Sequence, residues 1–317
     1  MHVLILAGGQ GVRLRPLTTG CPKPLLLLGD RPILTRIVEH IPAELPVTII
    51  VAPQLAAPFQ RWQESLSPPH NVRLYLEPYR ESGPLGPVRA LSACVDELEL
   101  EDDVLLLMGD SLLPFQLEQF FAGADSQALR LAAYRLPDIS QANRYGVLEI
   151  GAAETVEHFV EKPAQPRSSW IFTGCLSLPQ RLLPTLPRAG AEGPSNAGDL
   201  VAEYLRRGER IEVYRAEGEW HDIGTLASYL QAHHSLLSDS RRRSLVDQGN
   251  QLRGSVYVHP SAQVTHSVLQ DCVVQAGARV ANADLSFCVV QPHASIAGRQ
   301  LRAKLISNGS ELPFAGE

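Results

Sequence analysis

Three glycines and two arginines near the start of the chain carry its clearest chemistry. In LAGGQGVRLRPLT (residues 6–18) a buried-looking run, Val3 to Leu6, breaks into Gly8, Gly9 and Gly11 and then presents Arg13 and Arg15. Glycine lets a backbone turn sharply or approach a ligand closely, and the N–H groups of such a turn can ring phosphate oxygens. A guanidinium beside them can neutralise charge gathering on a phosphoryl centre. The spacing is not a dinucleotide fingerprint, because Leu14 stands where the third glycine is expected and Arg13 intervenes. The loop is therefore expected to hold a phosphate with a cation of its own.

Such a loop has to be carried by a sheet. Apolar strand candidates recur at 3–8, 47–52, 72–78, 103–110 and 129–136, with helix-like stretches around 32–41, 54–66, 87–98 and 115–122. This alternation predicts an α/β, largely parallel sheet whose ligand site lies at the carboxyl ends of its strands. Gly8, Glu77 and Asp110 all fall at such ends. From about 145 to 222 the pattern is less regular, with hairpin-like pieces YGVLEIG and WIFTGCLSL and a helix expected at 197–207, starting near Asn196.

After a polar stretch the period changes. Val258, Val274, Val290 and Ile306 fall in register, as do Val264, Val280 and Ile296, giving a repeat of about sixteen residues. Ala262, Ala278 and Ala294 share one column, and Cys272 and Cys288 another. Aliphatics about six apart within each repeat suit a prism-shaped parallel β-helix whose coils bury their apolar columns by stacking. The two cysteines are expected to pack there as small hydrophobes. The expected organisation is a first domain over 1–235, a linker over 236–253 and a short β-helix over 254–317.

Composition sets the outer limits. With 317 residues and 44% hydrophobic content the chain exceeds the usual size of one core. A net charge of −6 offers no general field for polyanions, so no nucleic-acid partner is expected and any phosphate site must be local. The Arg241–Arg243 run reads as solvated surface. Five scattered cysteines, without a C-x-x-C pair, indicate neither a zinc knuckle nor a disulfide framework and fit a cytoplasmic location. No signal peptide is recognisable, and no apolar run reaches the roughly 18 residues of a membrane span, so no membrane partner is expected.

The glycine loop is followed in order by CPKPLLLLGDRPIL (21–34), ESGPLGPVRA (81–90), LLLMGDS (105–111), RYGVLEI (144–150), VEKP (160–163) and EWHDIGT (219–225). From Met1 to about Tyr229 this series resembles the sugar-1-phosphate nucleotidyltransferase family, including mannose-1-phosphate guanylyltransferases and glucose-1-phosphate thymidylyltransferases. The C-terminal repeats resemble the left-handed β-helix tails of many members. The resemblance implies a Rossmann-like, mixed, mostly parallel sheet followed by a short left-handed parallel β-helix. The implied partners are a nucleoside triphosphate and a sugar 1-phosphate, with pyrophosphate released. The attacking phosphate oxygen is already ionised near neutral pH, so positioning and charge neutralisation must supply the catalysis.

The resemblance also implies roles for individual residues. Leu6, Ala7, Gly8, Gly9, Gly11 and Arg13 would line the nucleotide, with Arg13 stabilising charge at the α-phosphorus. Lys23 would help bridge the two phosphate-bearing substrates. Asp110 and Asp222 would coordinate Mg²⁺, a hard ion suited to few carboxylates with phosphates and waters completing its shell. Lys162 would hold the sugar phosphate and Glu161 the sugar hydroxyls, while Tyr145, Gly146, Thr173 and Gly174 would line the sugar pocket. His221 is expected to be positional, since the reaction has no proton that must be removed.

For the base, pyrimidine-using relatives commonly place a glutamine five residues before the glycine matching Gly86, where this chain has Glu81. An ionised carboxylate only accepts, matching the paired N1–H and N2–H donors of guanine, so GTP is favoured. Pro87-Val88-Arg89 departs from the guanylyltransferase pattern, and Thr173 stands where many mannose enzymes carry asparagine, so UTP and dTTP stay open. A catalytically silent regulatory subunit that binds nucleotide sugar is the rival from another class. An acyltransferase role for the β-helix is not favoured: three coils are few, and His259, His266 and His293 occupy different columns. A homo-oligomer, dimer or tetramer, is expected from coil stacking.

Overall fold

The apolar runs form the strands expected of them. The computed structural model describes residues 1–66, 71–78, 85–187 and 193–314. The chain packs as two compact units, one of Met1–Gly9 with Leu34–Asp222 and one of Gln10–Ile33 with Ile223–Glu317.

In chain order the first strands are β1 (His2–Leu6), β2 (Leu27–Leu28), β3 (Arg31–Pro32), β4 (Val47–Val51), β5 (Val72–Leu76), β6 (Val104–Met108), β7 (Ser111–Leu112) and β8 (Leu129–Arg135). They continue with β9 (Gly146–Ile150), β10 (Val156–Glu161), β11 (Trp170–Leu178), β12 (Ile211–Ala216) and β13 (His221–Asp222). The helices are α1 (Ile33–Glu39), α2 (Ala56–Ser65), α3 (Pro87–Glu97), α4 (Leu117–Phe121), α5 (Ala197–Arg206), α6 (Leu226–His234) and α7 (Asp239–Asp247).

The main sheet of the first unit runs β10-β9-β11-β6-β1-β4-β5, with β8 against β11 and β12 against β8. β6, β1, β4 and β5 are parallel, whereas β11 returns antiparallel to both β6 and β8. β1 sits mid-sheet, which is why Val3, Leu4 and Ile5 are fully buried and read as a continuous apolar run. α3 and α5 bury Val88, Leu91, Leu200 and Val201 against Leu4, Leu106 and Leu131. α5 begins where its signals predict, with Asn196 at the N-cap and Asp199 answering it in a capping box.

In the second unit, β14 (Gln251–Val258), β15 (Gln263–Thr265), β16 (Val268–Val274), β17 (Arg279–Ala281), β18 (Asp284–Ser286), β19 (Val289–Val290), β20 (Ser295–Ala297), β21 (Gln300–Arg302) and β22 (Lys304–Ser307) wind as coils of a parallel β-helix. The register agrees with the sequence columns: Val258 pairs Val274, Val274 pairs Val290 and Val290 pairs Ile306, while Val264 pairs Val280 and Val280 pairs Ile296. Each coil turns at left-handed corners that recur every sixteen residues, at His266 and Asn282, at Asp271, Phe287 and Ala303, and at Gly277 and His293. Cys272 and Cys288 lie fully buried in the coil core.

Both ends of the coil stack are covered. At one, β23 (Ser310–Pro313) folds back antiparallel on β22. At the other, α7 lies in the stretch expected to be a linker, inserting Leu245 into the coil core while Arg241 donates to the carbonyls of His259 and Ala262. Buried Asn250 fastens this junction by donating to the carbonyls of Leu245 and Val264 and accepting from the Ser267 amide.

Candidate active site

The parallel pair β1 and β6 fixes the first part of the site. Leu6 stands opposite Met108, and the Gly109 amide donates to the Leu6 carbonyl at 2.9 Å. A Cβ on Gly109 would lie 3.0 Å from that carbonyl oxygen and 3.3 Å from the Ala7 Cβ, so glycine permits the close approach. The start of the glycine loop and Asp110 therefore leave the same edge of the sheet side by side. On the far side of β1, Gly8 lies against Ala52 at the end of β4.

Asp222 reaches this edge through a short ladder. β7 and β13 pair antiparallel, with Asp222 opposite Ser111 and His221 opposite Leu112. This brings Asp222 to the residue that follows Asp110, although the two lie far apart in the chain. Among the described residues no cluster of three or more His, Cys, Asp or Glu side chains forms a ready metal cage. Carboxylates at Asp110 and Asp222 would make the sparse, hard-oxygen donor set that leaves a divalent ion open to phosphates and water.

The W-H-D segment also touches the Y-G segment. The Trp220 ring packs edge-on against Tyr145 at 5.3 Å between centroids and beside Tyr134 at 5.7 Å. Burial holds the His221 imidazole below the usual histidine range, an effect that Glu219 partly offsets.

β9 and β10 place the next residues. Glu161 pairs with Gly146, and the Lys162 amide, in a left-handed conformation at φ 48°, donates to the Tyr145 carbonyl at 3.0 Å. The Lys162 ammonium stands 3.1 Å from Glu161 Oε1. A side chain at Gly146 would run into Phe159 and the Glu161 carboxylate, and one at Gly198 would collide with the same carboxylate. Glu161 is thus seated against the first turn of α5, where the helix dipole favours a negative charge.

Thr173 and Gly174 form a bulge in β11, where the register with β8 shifts. Thr173 is 2% exposed, and its hydroxyl donates to the Ala132 carbonyl at 2.9 Å. Gly174 has φ 88°, and its missing Cβ makes room for Met108. The Thr173 side chain is committed to the fold, leaving the backbone as the part of this segment able to meet a ligand.

Arg13 and Lys23 belong to one folded loop of the second unit. Gly11, at φ 60°, starts a turn over Val12–Leu14 that leaves Arg13 exposed. A Gly11 Cβ would lie 2.8 Å from Thr18 Cγ2 and 3.1 Å from Lys23 Cβ, and the Thr18 hydroxyl donates to the Gly11 carbonyl at 2.9 Å. Lys23, in the next turn (Lys23–Leu25), is 8% exposed. Gly86 adopts φ 83° at the N-cap of α3, and Glu81 lies outside the described residues.

One acid was visible as a strand-end residue but not placed in the site. Glu77 follows β5 at the same edge as Gly8 and Asp110, is 7% exposed, and has its carboxyl pushed upward by burial. The signal for it is an acid directly after a buried strand. Nothing in the sequence marks Tyr229, whose hydroxyl fastens the lysine loop of the second unit.

Comparison with known proteins shows the family. Residues 2–239 match the Nucleotidyl transferase family. The chain is 24% identical to glucose-1-phosphate adenylyltransferase of Geobacillus stearothermophilus, over 86% of this chain and 77% of the relative. It is 27% identical to glucose-1-phosphate thymidylyltransferase of Streptomyces antibioticus, covering 87% and 78%, and 25% identical to the probable mannose-1-phosphate guanylyltransferase 2 of Arabidopsis thaliana, covering 87% and 79%. The matched span makes this chain a member of the nucleotidyl transferase family, similar over most of its length to sugar-1-phosphate nucleotidyltransferases.

Proposed function

We propose that the protein joins a nucleoside monophosphate unit to a sugar 1-phosphate. A phosphate oxygen of the sugar attacks the α-phosphorus of a nucleoside triphosphate, the α–β bridging P–O bond breaks, and pyrophosphate leaves with the electron pair. The observation that supports this reading is the β7–β13 ladder, in which Asp222 pairs with Ser111, the residue after Asp110, near the end of β6 and the start of the glycine loop.

In this reading residues 1–235 form the catalytic domain and 254–317 a β-helix domain. Arg13 and Lys23 neutralise the triphosphate, Lys162 holds the sugar phosphate, and Glu161 accepts from sugar hydroxyls. The backbone from Leu6 to Gly11 and around Gly86 receives the nucleotide, and Tyr145, Gly146, Thr173 and Gly174 border the sugar. Asp110 and Asp222 hold a divalent cation, for which Mg²⁺ fits best; bound there, it withdraws charge from the phosphates. His221 keeps the ladder in place and moves no proton.

GTP is the proposed nucleotide, because a carboxylate at Glu81 accepts both donors of the guanine edge. Relatives named for adenylyl, thymidylyl and guanylyl transfer all resemble this chain, so resemblance alone does not choose the base. A pyrophosphate-release screen crossing GTP, dTTP, UTP, ATP and CTP with a panel of sugar 1-phosphates tests both levels. GTP is expected to lead, and Glu81→Gln to shift the ranking away from it. Silence with every pair, together with retained binding of a nucleotide sugar, would replace the enzyme by a regulatory subunit.

A further inference from the structure

The phenol oxygen of Tyr229 joins the lysine loop to the β-helix. Tyr229 lies on α6 and is fully buried. Its hydroxyl donates to the Leu27 carbonyl at 2.7 Å and accepts from Gln275 Nε2 at 3.3 Å. Burial pushes the phenol far above its ordinary range, so the hydroxyl keeps its proton across all working pH.

The Leu27 carbonyl has a specific need for this donor. In the β2–β3 hairpin the Ile33 amide bonds the Leu26 carbonyl, so the next pair along the ladder, Leu27 and Pro32, turns its backbone groups away from each other and the Leu27 carbonyl must find its donor outside the hairpin. A half-buried backbone carbonyl is destabilised when it lacks a donor, and Tyr229 supplies the one that the hairpin does not. The hairpin in turn continues the Lys23 turn: the Leu26 amide donates to the Lys23 carbonyl at 3.1 Å, and the Ile33 amide to the Leu26 carbonyl at 3.0 Å.

At the other end, Gln275 rises from a fixed corner of the coil. It is 5% exposed, its amide donates to the Val290 carbonyl at 2.9 Å, and its carbonyl accepts from the Ala278 amide at 3.2 Å. Leu27, Tyr229 and Gln275 form one chain of hydrogen bonds from the coil to the segment that carries Lys23.

We propose that Tyr229 is a positioning residue for Lys23, and that the β-helix backs the phosphate-binding loop through Gln275 and Tyr229. The assignment rests on the phosphate-binding role proposed for Lys23. Lys23 is 8% exposed, so the place of its ammonium follows the backbone beneath it. Small misplacements of such a charge cost rate steeply.

The test measures turnover and amide hydrogen exchange of the unliganded full chain in parallel. Tyr229→Phe removes one oxygen and keeps the ring. It is expected to lower kcat/KM about tenfold and to speed exchange of the amides of residues 25–33 by a similar factor, while the coil amides of β17 and β20 keep their rates. Gln275→Leu is expected to cost about threefold alone and to add nothing to Tyr229→Phe, because both act through one oxygen. In a Lys23→Met background Tyr229→Phe is expected to change turnover less than about twofold, since its effect is carried by the lysine.

Unchanged exchange over 25–33 would overturn the proposal. So would a tenfold loss that persists in the Lys23→Met background, because a purely structural tyrosine would behave that way. A wild-type protein silent with every substrate pair would instead remove the transferase reading, and the exchange comparison would still decide whether Tyr229 holds the hairpin.

Discussion

The carboxylate of Glu161 fills the space that a side chain at Gly198 would need. Two effects compete in Gly198→Ala. Alanine is better than glycine inside a helix by about 1 kcal/mol, but the new methyl cannot share its place with the carboxylate. Glu161 is a flexible side chain, so the expected outcome is that it swings away and the fold survives. The KM for the sugar 1-phosphate should then rise several-fold while that for the nucleoside triphosphate stays the same. Equal changes in both constants would separate Glu161 from the sugar.

The cap of the same helix gives a pH signature. The Asp199 carboxylate is pushed upward by burial but pulled down further by hydrogen bonds from Ser195 and Asn196, and its net position is below the ordinary value. A group lowered in the folded state adds stability that is fully present above its unfolded value of about 3.9 and is lost as pH falls through the folded one. Asp199→Asn should therefore lose less stability than the wild type between about pH 4 and the lowest pH at which both still fold. Asn196→Ala should cost about 1 kcal/mol in urea unfolding at pH 7. Parallel acid curves for Asp199→Asn and wild type would refute the cap assignment.

Gly11→Ala tests the loop that carries Arg13 and Lys23. A left-handed backbone penalises any side chain by about 1–2 kcal/mol, and here the methyl also meets Thr18 and Lys23. The variant should be less stable by about 2 kcal/mol or more in urea unfolding, with a higher KM for the nucleoside triphosphate. Wild-type stability would show that the loop relaxes freely.

The thiols should react in a set order. Cys94, Cys175, Cys272 and Cys288 are buried, and burial raises the Cys94 thiol to about 12, whereas Cys21 is half-buried. Only Cys21 should react with a thiol reagent in the native protein, and slowly, because burial raises its thiol as well. All five should react after unfolding. Rapid native labelling of Cys272 or Cys288 would contradict their place in the coil core.

What the sequence disclosed follows the range of each interaction. The column Val258, Val274, Val290 and Ile306 was legible because a coil repeats its own local pattern. The α5 cap was legible because Asn196 and Asp199 are three residues apart. The pairing of Asp222 with Ser111 was not, because a two-residue ladder between distant segments leaves no periodic trace. α7 escaped as a linker because one apolar residue, Leu245, holds it to the coil while its arginines face polar groups. The link from Tyr229 to Leu27 joins a side chain to a backbone carbonyl, which no residue type at Leu27 could announce.

The central claim is that Asp110 and Asp222 act together on one divalent cation. Pyrophosphate release measured against Mg²⁺ concentration for the wild type, Asp110→Asn and Asp222→Asn tests it most directly. The account predicts that each variant keeps its fold and loses turnover by about a hundredfold or more, with partial recovery only at high Mg²⁺. Near-normal rates in both variants, with the wild-type dependence on Mg²⁺, would contradict it.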